Sequence, residues 1–167
     1  AVDCGTGVKI ALLGDLFLSG AYECWTDEEC LTVLSGLSNL LKSHDICVAN
    51  FEGVILDVMP DAGDCTKKIV LPVRAAFAQA LANVGLDVVG LSNNHVFDFG
   101  LEGLASTKRG LDAVGVTGFG AGASAREAGR LELVTIGSVR VGLIGFTCET
   151  THPDVFAGEG PGVLRLQ

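Results

Sequence analysis

The sequence predicts an α/β protein: a mostly parallel sheet with flanking helices and a late β-hairpin. Two observations carry that prediction. From Val8 to Ala128, short apolar runs of the kind that buried strands use alternate with stretches of helical period. Beyond Arg130, two apolar runs stand either side of Gly137 and Ser138, the signal of a tight hairpin.

The elements follow in order. Val8 to Leu13 is a continuous apolar run that ends in Gly14 and Asp15, a buried strand delivering a carboxylate. Thr26 and Glu29 have capping-box spacing, and Leu31, Leu34, Leu37, Leu40 and Leu41 keep helical period, which predicts a helix to about Ser43. Ile46 to Ala49 is a second strand, running out into Asn50, Phe51, Glu52 and Gly53. An irregular acidic loop leads to Pro72, which is read as the start of a helix with Val73, Phe77, Ala80 and Leu81 on one face, closed near Gly85. Asp87 to Leu91 is the third strand and delivers Ser92, Asn93, Asn94 and His95. A helix over Leu101 to Val114, a strand over Val116 to Phe119 and a small helix over Ser124 to Ala128 complete the alternation before the hairpin. The tail from Thr147 to Gln167 is polar and rich in Gly and Pro, apart from a short final apolar run.

The chain of 167 residues, 49% apolar, is long enough for one domain, 1–167, with a sizeable core. No apolar run reaches the roughly 20 residues that a membrane helix needs, so the pattern is that of a soluble chain. It begins at Ala1, with no methionine and no leader pattern, which suggests a targeting segment already removed. The net charge of −9 argues against a nucleic-acid partner, whose phosphates are bound mainly by Lys and Arg, and makes cations the easier partners. The acidic stretches Glu23 to Glu29 and Asp57 to Asp64 lack the ligand spacing of a calcium loop and read as solvated faces.

Six cysteines are many for a reducing compartment, and they point to an extracytoplasmic location, in the cell envelope or secreted. Cys47 and Cys148 are read as buried thiols within or beside strands. Cys4, Cys24, Cys30 and Cys65 lie where disulfides could form, with three pairings open. There is no CxxC and no histidine at zinc-finger spacing. Gly118 to Gly122 lacks the Lys-Ser/Thr tail of a phosphate loop and reads as a tight turn, and no GxSxG elbow is present.

The chemistry therefore falls to the strand ends. In a parallel sheet the carboxyl ends share one edge, so Asp15, Glu52, Asn94 and His95 can converge, with Asp98 three residues beyond His95. Taken singly, each has a structural role open to it. Asp15 could cap the next element, Glu52 could pair with Lys67 or Lys68, His95 could bond backbone, and Asn94 and Asp98 could shape a turn. Taken together, they could ligate metal, hold a phosphate-like anion or pass a proton. Two hard cations would need a bridging carboxylate, from Asp15 or Glu52, with Asn94 as a neutral oxygen ligand and His95 as general acid.

The pieces Gly14 to Leu18, Ala49 to Gly53, Gly85 to Leu104, Gly115 to Gly122 and Val139 to Thr147 resemble, in the same order, those of the CapA family. These are bacterial capsule or poly-γ-glutamate synthesis proteins with a metallophosphatase-like domain. The NNHxxDxG stretch from Asn93 to Gly100 is the most specific of these matches. The resemblance implies Asp15, Glu52 and Asn94 as metal ligands, with Glu52 in the bridging position, His95 facing substrate and Asp98 orienting it or bracing the loop. It implies divalent metal ions, manganese, zinc or similar, two in a complete domain. The implied activity is that of a hydrolase or transferase, with an anionic envelope polymer or a small ester as substrate; a non-catalytic polymer-binding or assembly module is the other reading. Phe17 stands where the DxH first motif usual in metallophosphatases has its histidine, so the first metal would need nitrogen ligands from elsewhere. The histidine-rich segments of the family's second half do not appear before Gln167. The chain is thus expected to be the first half of a four-layer α/β/β/α sandwich, working as a homo-oligomer or with a complementing C-terminal half.

Overall fold

The computed structural model describes residues 7–17, 26–59, 70–148 and 156–166. Its centre is a parallel sheet of four strands: β1 (Ile10–Leu16), β2 (Ile46–Phe51), β5 (Val88–Gly90) and β6 (Thr117–Phe119), adjacent in that order. Between β2 and β5 lie β3 (Val54–Leu56) and β4 (Pro72–Arg74), a small parallel pair of their own. The helices are α1 (Asp27–Thr32), α2 (Ser38–Leu41), α3 (Ala75–Val84), α4 (Gly100–Ala113) and α5 (Ala125–Ala128). After β6 come β7 (Ala121–Gly122), the antiparallel hairpin β8 (Glu132–Ile136) and β9 (Val139–Leu143), then β10 (Thr147–Cys148), β11 (Gly162–Val163) and β12 (Arg165–Leu166). The expected α/β architecture, mostly parallel and with a late hairpin, is what forms.

Strand periodicity sorts the sheet's two faces. Cys47, Ala49 and Phe51 of β2 and Val89 of β5 point to the main core, where Phe77, Leu81 and Val84 of α3 and Leu104 and Leu111 of α4 meet them. Ile46 and Val48 of β2 and Val88 of β5 point the other way, against Phe119 and the hairpin residues Val134, Ile136 and Leu143. Burying each of the larger core side chains stabilises the fold by about 1.5–3 kcal/mol. The hairpin leaves the β1 end of the second face open: Leu12 is 77% exposed and Ile10 41%.

Several expectations change in detail. The helix predicted from Thr26 to Ser43 is two short helices with a 3₁₀ turn, Ser35–Leu37, between them. Its capping box forms as expected. The Thr32 hydroxyl, however, bonds back to the carbonyls of Glu28 and Glu29, and Gly36 follows, so both residues weaken the continuation. Pro72 opens a strand rather than a helix. Its fixed φ suits extended backbone equally well, and α3 starts at Ala75 after an extended Arg74. The segment read as loop from Val54 contains β3. Gly85 does close α3, with φ 97°.

Among the cysteines, Cys30 and Cys47 are buried thiols, whereas Cys148 is exposed, because the two-residue β10 lies outside the main sheet. Cys4, Cys24 and Cys65, with Lys67 and Lys68, lie outside the described residues. Among the described residues no helix is long and apolar enough to cross a membrane.

A candidate site at the carboxyl edge of the sheet

A register irregularity in β1 aims the first carboxylate. Leu12 pairs with Val48 but Asp15 pairs with Asn50, so β1 spends three residues where β2 spends two. Ala11 and Leu13 face the main core. In an unbroken strand Asp15 would follow them inward; the extra residue returns it to the outer face, beside Asn50. The Asn50 Nδ2 then donates to Asp15 Oδ1 at 2.9 Å.

Glu52 follows β2 two residues beyond Asn50, and its amide N–H bonds the Leu16 carbonyl at 2.9 Å. Its carboxyl is held above the ordinary carboxylate range. Burial is the main cause and the Asp15 charge adds to it, while His95 and a hydrogen bond from Asn50 act in the opposite sense. Asp15, Asn50, Glu52 and His95 therefore form one electrostatic neighbourhood.

The third strand end is organised by a residue that sequence reasoning passed over. Asn93 is 4% exposed, one of the few buried polar side chains described. Its Nδ2 donates to the Phe51 carbonyl at 2.8 Å and to Asn50 Oδ1 at 3.2 Å, and its Oδ1 accepts from the N–H groups of His95 and Val96, both at 3.1 Å. The turn after β5 is thereby pinned to the end of β2. Asn94 and His95 are half-buried in that turn. The His95 Nδ1 lies 2.8 Å from Asp98 Oδ2, and Asp98, whose side chain is only 1% exposed, also accepts from the Leu71 N–H at 2.9 Å. Asp98 thus both orients the imidazole and braces the segment entering β4. Asn50 was legible in principle, since it shares a face with Glu52 by strand periodicity. Asn93 carried no signal beyond being the first Asn of a pair.

The groups gathered here are two carboxylates, the Asn50 and Asn93 carboxamides, whose oxygens accept hydrogen bonds within the cluster, and one imidazole whose Nδ1 is engaged. That set suits a cation such as manganese better than a thiolate-seeking metal. Among the described residues no group of three or more His, Cys, Asp or Glu side chains stands where it could hold a metal ion. Phe17, at the position where a ligand histidine was missed, is 51% exposed. Burial pushes the Cys30 and Cys47 thiols up, so neither is a poised nucleophile.

Next to the polar cluster the open part of the second face forms an apolar groove of about 490 Å³, lined by Leu12, Val48, Phe119, Ile144 and Phe146, with Asn50 and Ser92 at its polar end. Ser92 donates to the Gly120 carbonyl at 2.8 Å, and Gly145 packs against the same hydroxyl so closely that a Cβ would collide with it. The GFGAG stretch, read as a tight turn, instead ends β6 and forms β7, with the chain bending only at Gly120, φ 93°, between them.

Fold and site together define an α/β protein that gathers carboxylate, carboxamide and imidazole groups at the carboxyl edge of a parallel sheet, where such folds place their ligands. Residues 9–162 match the family described as bacterial capsule synthesis protein PGA_cap, and the chain belongs to that family. It is 27% identical to the capsule biosynthesis protein CapA of Bacillus anthracis over 80% of this chain and 33% of that protein. It is 32% identical to a probable polyglutamine synthesis accessory protein of Mycobacterium tuberculosis over 86% of this chain and 37% of the relative. To the PGA biosynthesis protein CapA of Bacillus subtilis it is 23% identical over 94% of this chain and 42% of the relative. The chain spans roughly a third to two-fifths of the length of these proteins.

Proposed function

We propose that this chain carries part of a metal-dependent site of a capsule-synthesis protein, acting as a hydrolase or transferase on an anionic envelope polymer such as poly-γ-glutamate, or on a small ester. The observation that supports it is the meeting of Asp15, Glu52 and the His95–Asp98 pair at neighbouring strand ends. In this reading Asp15, Glu52 and Asn94 hold a divalent cation, manganese, zinc or similar, and two such ions serve the complete site. The cation would supply charge neutralisation and polarisation of a substrate oxygen. His95, held at Nδ1 by Asp98, keeps Nε2 as the nitrogen that gives or takes a proton. A cation also answers an electrostatic difficulty: a chain of net charge −9 repels an anionic polymer, and a metal between them reverses the local sign.

The missing ligands would come from further polypeptide, since the relatives are longer, or from a second copy. The open apolar face beside the site is where such a layer would pack, giving a four-layer sandwich metallophosphatase-like in plan. The setting is extracytoplasmic, in the cell envelope, in keeping with six cysteines and the capsule-synthesis family. The incomplete shell favours one other reading, a non-catalytic module that binds or assembles envelope polymer.

Metal content separates the two. Purified without chelator and titrated with manganese and zinc, the chain is expected to retain metal, to lose it in Glu52→Ala, and to keep it while losing turnover in His95→Ala. Polymer binding that is indifferent to chelator, with no turnover, would establish the binding module instead.

A further inference from the structure

We propose that Asn50 is a positioning residue, which sets the Asp15 carboxylate through a one-way chain of hydrogen bonds from the His95 turn; the inference rests on the reading of Asp15 as a cation ligand. Carboxamide orientation is ordinarily ambiguous, because oxygen and nitrogen are similar in shape. Here it is determined. The Asn93 Oδ1 faces two backbone N–H donors, those of His95 and Val96, so its Nδ2 must be the group that meets Phe51 O and Asn50. Asn50 is then obliged to offer Oδ1 to Asn93 and Nδ2 to Asp15.

Asp15 needs this help. It sits just past an irregularity in an edge strand and is exposed, so neither packing nor the sheet fixes its rotamer. The hydrogen bond at Oδ1 does. Asn50 also stands two residues before Glu52 on the same face of the strand end, so a neutral donor sits beside both carboxylates at no cost in net charge. An aspartate at position 50 would satisfy Asn93 equally well but could offer Asp15 nothing except repulsion.

The test uses Asn50→Ala and Asn50→Asp in the whole chain, with two readouts: crystal structures without metal, and manganese titration. The expected result is that the Asp15 carboxylate leaves its parental position in both variants, and that Asn50→Ala binds manganese at least about tenfold more weakly than the parent, the usual effect of removing a group that orients a ligand. Asn50→Asp is the variant built to keep the fold, because the acceptor for Asn93 survives. A residue serving stability alone would lower the melting temperature while leaving Asp15 and manganese affinity at parental values. An Asp15 carboxylate within about 0.5 Å of its parental place in Asn50→Ala overturns the proposal. A parent that binds no manganese overturns the cation reading only, and the metal-free structures still decide whether Asn50 positions Asp15.

Discussion

Glu52 is the residue at which the site's electrostatics work against the fold. Its carboxyl is pushed above the ordinary range by burial and by Asp15, so the folded state binds the Glu52 proton more tightly than the unfolded state does. The stability this group contributes is present below the ordinary carboxylate range and is lost as pH rises through that range to the raised value. Glu52→Gln is therefore expected to melt higher than the parent at pH 7–8, with the difference shrinking towards acid; thermal unfolding across pH measures it. A cation bound by the parent adds stability by mass action, so manganese should raise the parent's melting temperature and leave that of Glu52→Gln unmoved. Asp98 presents the opposite case, a carboxylate the fold requires. With its side chain 1% exposed and committed to both His95 and the Leu71 N–H, its replacement by Ala leaves a donor without its acceptor. The expected loss is about 1–3 kcal/mol in a denaturant titration.

At the scale of elements, β3 and α4 show how much of the fold was legible. Strand–helix alternation, the capping box, the Gly85 stop and the hairpin about Gly137 could all be read because each rests on local chemistry or on period. β3 and β4 could not, since three-residue strands carry no period and their pairing depends on a helix 50 residues away. That helix is shaped for them: Gly103 and Gly110 of α4 approach Val54 and Ile55 so closely that a Cβ would stand 2.9 and 3.0 Å from their side chains. Between the two glycines, Thr107 is fully buried, accepting from the Ile55 N–H at 2.9 Å and donating to the Gly103 carbonyl. Thr107→Val keeps the shape and removes the acceptor, so it should cost about 1–3 kcal/mol. Thr107→Ser, which keeps the hydroxyl, should cost less; equal losses would put the effect down to packing. The candidate site divides in the same way. The positions of the strand-end residues, Asn50 among them, were visible from sequence, whereas the bonds that Asn50 and Asn93 make exist only through the register of β1, β2 and β5.

For the whole molecule, the open half of the sheet's second face is the feature that a single core does not explain. β1 is two-sided: Ala11, Leu13 and Leu16 pack inward, while Ile10 and Leu12 extend from the other side of an edge strand with little over them. Ile144 and Phe146, each half exposed, stand across the groove. Such a strip is a surface for covering rather than for solvent. The relatives are two to three times as long as this chain, and further polypeptide laid over the strip would bury Leu12. Leu12→Thr distinguishes the arrangements, because a β-branched polar residue keeps strand preference and changes only the apolar surface. In the 167-residue chain, with Leu12 77% exposed, the substitution should change unfolding free energy by no more than about 0.5 kcal/mol. In a version extended to the relatives' length it should cost about 2 kcal/mol, the transfer free energy of a leucine taken out of water. A cost in the extended protein alone would place the covering layer in the same polypeptide. A cost that appears in the short chain and grows with its concentration would assign the cover to a second copy. No cost in either would mean that Leu12 meets solvent in both.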